Sequence, residues 1–82
     1  MKTQEEVFTT LRQIMAEMFE LAPEDIVLEA NLGRDLDIDS IDAVDLMVRL
    51  REITGKRINP DDFKNARTVQ DVVDTVVRIS LS

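Results

Sequence analysis

The sequence has no cysteine and no histidine. Without cysteine there are no disulfides, no thiolate metal sites and no thiol nucleophile. Without histidine the commonest general base and the commonest zinc ligand are missing, and a Ser-His-Asp triad is excluded. Positive charge is also scarce. Ten basic residues face 17 acidic ones, for a net charge of −7 and an isoelectric point near 4.4. A phosphate backbone or an anionic membrane surface repels such a chain, which argues against nucleic-acid and membrane binding. No apolar run approaches the length of a membrane span. The start, Met1-Lys2-Thr3-Gln4-Glu5-Glu6, is polar and acidic rather than an apolar export segment, so a cytoplasmic location is expected. What is present is a chain of 82 residues, 44% hydrophobic and 33% charged. That composition specifies a single globular domain over 1–82, too small to build much of a catalytic cleft. Packed apolar faces alone must stabilise it, which favours a compact helical bundle.

The acidity is concentrated. Glu29, Asp35, Asp37, Asp39, Asp42 and Asp45 face only Arg34 between residues 29 and 45, a local charge of −5. A focused negative field is expected there.

Periodicity predicts helices over 3–19, 40–54 and about 69–79. In the first, Val7, Phe8, Leu11, Ile14, Met15, Met18 and Phe19 make one apolar stripe, and Thr3 with Glu6 suggests a capping box. In the second, Ala43, Leu46, Met47, Leu50 and Ile53 form a core-facing stripe, Asp42, Asp45, Arg49 and Glu52 a polar one, and Gly55 the stop. Ile41, Val44 and Val48 make a surplus apolar patch beside the acids. Asp45 and Arg49, four apart, are spaced to pair. In the last, Val69, Val72, Val73, Val76 and Val77 keep helical spacing behind Thr68 and Asp71. Pro60–Lys64 suggests one helical turn, capped by Asn59. Residues 21–38 lack a period and read as a long loop pinned by Leu21, Ile26, Leu28, Leu32 and Leu36. Such a loop is usually functional or carries a short turn of helix.

The segment Asp35-Leu36-Asp37-Ile38-Asp39-Ser40-Ile41-Asp42-Ala43-Val44-Asp45-Leu46 puts a serine where this loop meets a helix. If Asp39 caps the helix, Ser40 occupies the first helical position with its hydroxyl free. A phosphate ester there lies beside unpaired backbone N–H groups and the positive end of the helix dipole. The plainer alternative is that Ser40 is itself the cap. A calcium loop is a further alternative: Asp35, Asp37 and Asp39 fit its first acidic positions, but Ser40 stands where glycine is needed and Leu46 where glutamate is needed.

Asp39-Ser40-Ile41 and its surroundings resemble the acyl carrier protein family, whose hallmark is Asp-Ser-Leu or Asp-Ser-Ile opening the second helix. Leu32-Gly33-Arg34-Asp35-Leu36 resembles the approach to that site, and Asp42, Val44, Asp45 and Leu46 the pattern after it. Ile58, Asn59-Pro60-Asp61-Asp62, Phe63 and Thr68-Val69 resemble the family's short third helix and the start of its fourth. The likeness runs from about residue 7 to 79.

The resemblance implies an all-α fold of three main helices and one short one. It implies a non-enzymatic carrier that holds acyl groups as thioesters. Ser40, next to Asp39, would bear 4′-phosphopantetheine donated by coenzyme A. Partners would be a phosphopantetheinyl transferase and separate ketosynthase, acyltransferase, ketoreductase and dehydratase type enzymes, serving fatty-acid or polyketide-type synthesis, with the carrier a monomer. Asp37, Asp39, Asp42 and Asp45, with Ile41, Val44 and Val48, would form the docking surface. Val44, Met47, Ile58, Phe63 and Ala66 would line a route for the acyl chain between the second helix and the short third. A different class of reading is an unmodified helical interaction module that kept the fold and lost the cargo, which would have no reason to keep Ser40 beside Asp39. Two features depart from the family pattern. Asp37 replaces a common glycine, so its backbone is expected to adopt a conformation open to a side chain, and Arg49 and Arg51 interrupt the acidic helix. The stretch from Thr54 to Val69 resembles stand-alone carriers of specialised pathways, such as aryl polyene synthesis.

Overall fold

A computed structural model describes residues 3–81. Three α-helices appear: α1 (Gln4–Phe19), α2 (Ser40–Thr54) and α3 (Val69–Ser80). Two short 3-10 turns, Pro23–Asp25 and Pro60–Phe63, punctuate the connections. The second stands where a short helix was expected. Its amides bond three residues back, Asp62 N to Asn59 O at 3.0 Å and Lys64 N to Asp61 O at 3.5 Å, the pattern of a short 3-10 turn. Here Asp62 Oδ2 accepts from the Asn59 amide at 2.9 Å.

Each helix begins where the sequence supplies a side-chain acceptor. Thr3 Oγ1 accepts from Glu6 N at 3.2 Å, and its hydroxyl turns to Glu6 Oε1, so the expected reciprocal box is not formed. Thr68 and Asp71 do form one at α3. Gly55, at φ 67°, ends α2 in the left-handed conformation that glycine adopts without a Cβ penalty.

The core combines Val7, Leu11, Ile14 and Met15 of α1 with Leu46, Met47 and Leu50 of α2 and Val69, Val72, Val73 and Val76 of α3. The valines are short, and α1 and α3 make the most extensive close backbone approach. Longer Leu46, Met47 and Leu50 hold α2 further off. Phe8, Met18, Phe19 and Val77 lie only half-buried against this core. Ile53, placed on the core stripe by its spacing, is 40% exposed.

The 21–38 connection is more organised than a bare loop. Ile26 is fully buried and Ala30, Leu36 and Ile38 nearly so, and Leu21, Leu28 and Leu32 pack beside them. Arg12 stacks over the Phe8 ring, 4.4 Å from its centroid, and donates from Nε to the Ile26 carbonyl at 3.2 Å. Three backbone bonds tie the loop to the start of α3: Leu32 N to Arg67 O at 2.9 Å, Val69 N to Ala30 O at 3.1 Å and Gln70 N to Leu28 O at 2.9 Å. The connection therefore reaches α2 as a braced strut.

Candidate functional site

Asn31 organises the approach to α2. Its Oδ1 accepts from Gly33 N at 3.1 Å and from Arg34 N at 2.8 Å, while its own amide donates to Asp35 Oδ2 at 2.7 Å. Ile38 N then bonds to Leu32 O at 2.9 Å. Asn31 is not among the residues expected at the site, although an asparagine two residues before a glycine is a recognisable turn signal. Asp37 follows with φ 56°. This corrects the expectation of a conformation open to side chains. The position keeps the left-handed backbone that suits glycine, and aspartate occupies it because Leu36 and Ile38 are anchored in the core on either side.

At the start of α2, Asp39 is the N-cap. Its Oδ1 accepts from Asp42 N at 2.9 Å, and Asp42 Oδ2 accepts from Asp39 N at 3.4 Å. Ser40 is thereby released from capping, and its side chain is exposed in the first turn. Among the described residues no three carboxylates are grouped to hold a metal ion. Asp35 is drawn to the Asn31 amide and to Arg34 Nε, 3.5 Å away, and Asp39 to its own helix, so the calcium-loop spacing has no counterpart in space.

The outer face of α2 carries an apolar stripe. Ile41 is 72% exposed, Val44 49% and Val48 46%. Asp37, Asp39 and Asp45 are exposed near it, and Asp42, half-buried, is committed to the cap. Arg49 does not pair with Asp45. Its Nη1 lies 3.9 Å from Glu52 Oε2. Arg51 has a structural task that the sequence did not reveal, donating from Nε to the Ile58 carbonyl at 2.7 Å.

Behind Ser40 a cavity of about 410 Å³ opens between α2 and the segment that carries the second 3-10 turn. Ser40 and Asp39 stand in its wall with Met47, Leu50, Phe63, Ala66 and Val72. Two residues named for the acyl route are placed elsewhere. Val44 points outward on the exposed face of α2, and Ile58 is wholly buried in the core with its carbonyl held by Arg51. Asn31, Leu46 and Arg67, which the sequence did not single out for this role, also border the cavity.

Comparison with known proteins agrees with this geometry. The family profile described as "Phosphopantetheine attachment site" matches residues 9–76. The chain is 47% identical over 74 residues to acyl carrier protein 2 of Ralstonia nicotianae, a span covering 90% of this chain and 91% of that one. It is 36% identical over 73 residues to the acyl carrier protein of Thermosynechococcus vestitus, covering 89% and 90%. Among solved structures, the acyl carrier protein of Enterococcus faecalis superimposes with a TM-score of 0.75 at 27% identity, over 94% of this chain and 98% of that one.

A braced three-helix bundle with a prosthetic-group profile over most of its length defines a carrier domain rather than an enzyme. The chain belongs to the acyl carrier protein family. Its prosthetic group is a covalently attached 4′-phosphopantetheine, and the proteins it works with are a phosphopantetheinyl transferase and biosynthetic enzymes. No described helix is long and apolar enough to cross a membrane.

Proposed function

We propose that Ser40 is the attachment point and that this carrier delivers acyl thioesters to enzymes with basic docking rims. The carrying observation is the division of labour at the start of α2: Asp39 supplies the capping oxygen, and the adjacent Ser40 hydroxyl stands exposed at the mouth of the cavity. The site fits a phosphodiester. The unpaired N–H groups and positive dipole end of α2 offset part of the repulsion from nearby aspartates. In loading, Ser40 Oγ displaces the nucleotide half of coenzyme A from the phosphorus that bears pantetheine, and the transferase takes the hydroxyl proton. Once attached, the arm's terminal thiol supplies the thioester chemistry. The chain's own residues position the arm and present it to partners.

Asp37, Asp39, Asp42 and Asp45 supply long-range attraction to a partner, and Ile41, Val44 and Val48 supply short-range contact. Met47, Phe63 and Ala66 give an acyl chain an apolar wall at about 25 cal/mol per Å² buried. Asp37, Arg49 and Arg51 depart from the pattern of the general fatty-acid carrier, and the stretch from Thr54 to Val69, similar to carriers of specialised pathways, supports service in a pathway of the aryl polyene type. Its ketosynthase, acyltransferase, ketoreductase and dehydratase type enzymes would act on a monomeric carrier in the cytoplasm. The test is intact-mass spectrometry after incubation with coenzyme A and a phosphopantetheinyl transferase. Wild type gains one phosphopantetheine and Ser40→Ala gains none. Modification that survives in the alanine protein would move the attachment point elsewhere.

A further inference from the structure

The cavity wall is mainly apolar; its polar members are Asn31, Asp39, Ser40 and Arg67, and Asp39 Oδ1 is already taken by the Asp42 amide. Arg67 is the single basic residue bordering the cavity, Asn31 borders it too, and the Asn31–Thr68 bridge holds their two segments together. Among the described residues Arg67 closes no direct ion pair, and its charge acts only at longer range on the Asp71 carboxylate. Arg34 and Arg49 are matched to Asp35 and Glu52. The Arg67 backbone is nevertheless fixed, with its N–H donating to Asp71 Oδ2 at 2.8 Å and its carbonyl accepting from Leu32 N at 2.9 Å. Asn31 is fixed too. Its Oδ1 is fully used by the Gly33 and Arg34 amides, which leaves its Nδ2 as a donor with no partner among the described residues. A guanidinium and an amide N–H₂ on rigid backbone form a donor-only pair, which selects an oxygen acceptor.

We propose that Arg67 and Asn31 form an oxygen-binding lip on the cavity, so that the carrier holds acyl chains bearing a β-oxygen, 3-oxo chains above all, in preference to saturated ones. The proposal rests on the carrier reading of Ser40. A saturated chain gains only the apolar wall of Met47, Leu50 and Phe63. A 3-oxo chain gains that wall and, near its thioester end, a carbonyl for the two donors at the mouth. The arm's own phosphate and amide oxygens share this chemistry, so the test must separate arm from cargo.

Three loaded forms serve as probes: the bare arm, a hexanoyl arm and a 3-oxohexanoyl arm, the last two with an amide in place of the thioester to prevent hydrolysis. Mass spectrometry first verifies loading at Ser40. Failure at that stage counts against the attachment site and is distinct from failure of the lip. The readouts are the side-chain ¹⁵N–¹H signals of Arg67 and Asn31 and the thermal midpoint. The 3-oxohexanoyl form is expected to displace both signals relative to the hexanoyl form and to melt about 2–4 °C higher. Arg67→Met keeps the aliphatic stem and every backbone bond. It should abolish that excess while leaving the hexanoyl stabilisation intact. Asn31 is left unchanged because its Oδ1 shapes the loop. Equal displacement in all three forms would assign the lip to the arm and overturn the cargo preference. Unmoved signals in every form, or an excess that persists in Arg67→Met, would overturn the site.

Discussion

Asp37 sits at φ 56°, where the Cβ of an L-residue crowds the following carbonyl at a cost of roughly 1–2 kcal/mol. Glycine escapes that cost but returns roughly 0.4–1 kcal/mol through the entropy of the unfolded chain. The balance predicts that Asp37→Gly stabilises the fold by about 0.5–1 kcal/mol, while Asp37→Val, with a branched Cβ, loses stability. Urea unfolding of the three proteins measures this, and a glycine variant less stable than wild type would contradict it. The sequence marked Asp37 as unusual but could not show its φ, which is imposed by Leu36 and Ile38 through contacts distant in sequence. Asp39 and Ser40 were readable because capping is a local matter of a few residues. Arg51 was not, because its partner is a carbonyl, and every residue offers one of those.

Among the elements, α3 shows how much one cap can do. Asp71 Oδ2 accepts from Arg67 N at 2.8 Å and from Thr68 N at 3.1 Å. These two backbone bonds, the Arg67 one foremost, hold the Asp71 carboxyl below its ordinary 3.8. The unfolded chain releases this proton at the ordinary value, so the carboxylate stabilises the fold above that pH and the contribution is lost as pH falls through the lowered value. Asp71→Asn should therefore be less stable than wild type at pH 7, and the gap should close as the solution is taken below 3.8. Denaturant midpoints across that range give the answer, and a gap that stays constant with pH would refute it. Helical periodicity located all three α-helices within a residue or two, because each has a buried face that repeats. It failed at Ile53, which holds the spacing of the core stripe but is 40% exposed near the end of α2. At Pro60–Phe63 it gave the helical turn and its Asn59 cap, though four residues carry too little pattern to tell a 3-10 turn from an α-turn.

For the whole molecule the dominant feature is charge that changes sign along α2, acidic around Asp37, Asp39, Asp42 and Asp45 and basic from Arg49 through Arg57. Long-range attraction to a basic partner then depends on the acidic end and weakens with salt. Asp45 is the clean probe. It is exposed and outside the cap, and reversing it adds only an i,i+4 like-charge pair with Arg49, about 0.2–0.5 kcal/mol. Asp42 is not, because its carboxylate belongs to the capping box and lysine there also opposes the helix dipole, at about 0.3–1 kcal/mol. Asp45→Lys should slow phosphopantetheinyl transfer at low salt, and the deficit should shrink as salt is added, with helicity by circular dichroism unchanged. Transfer at wild-type speed in dilute buffer would reduce the acidic cluster to ordinary solvated surface.

The second 3-10 turn has a consequence for the size of the cargo. Pro60–Phe63 contributes no buried residue, yet Phe63 and, just beyond it, Ala66 form one side of the cavity. That side is fastened at its two margins, by Arg51 to the Ile58 carbonyl and by Asp71 to the amides of Arg67 and Thr68. Between those posts Phe63 and Ala66 rest half-buried against the core, whereas the residues by which α1 faces α3 are buried outright. Extra room for a longer chain is therefore expected on this side of the chamber, with the pairing of α1 and α3 as its fixed floor.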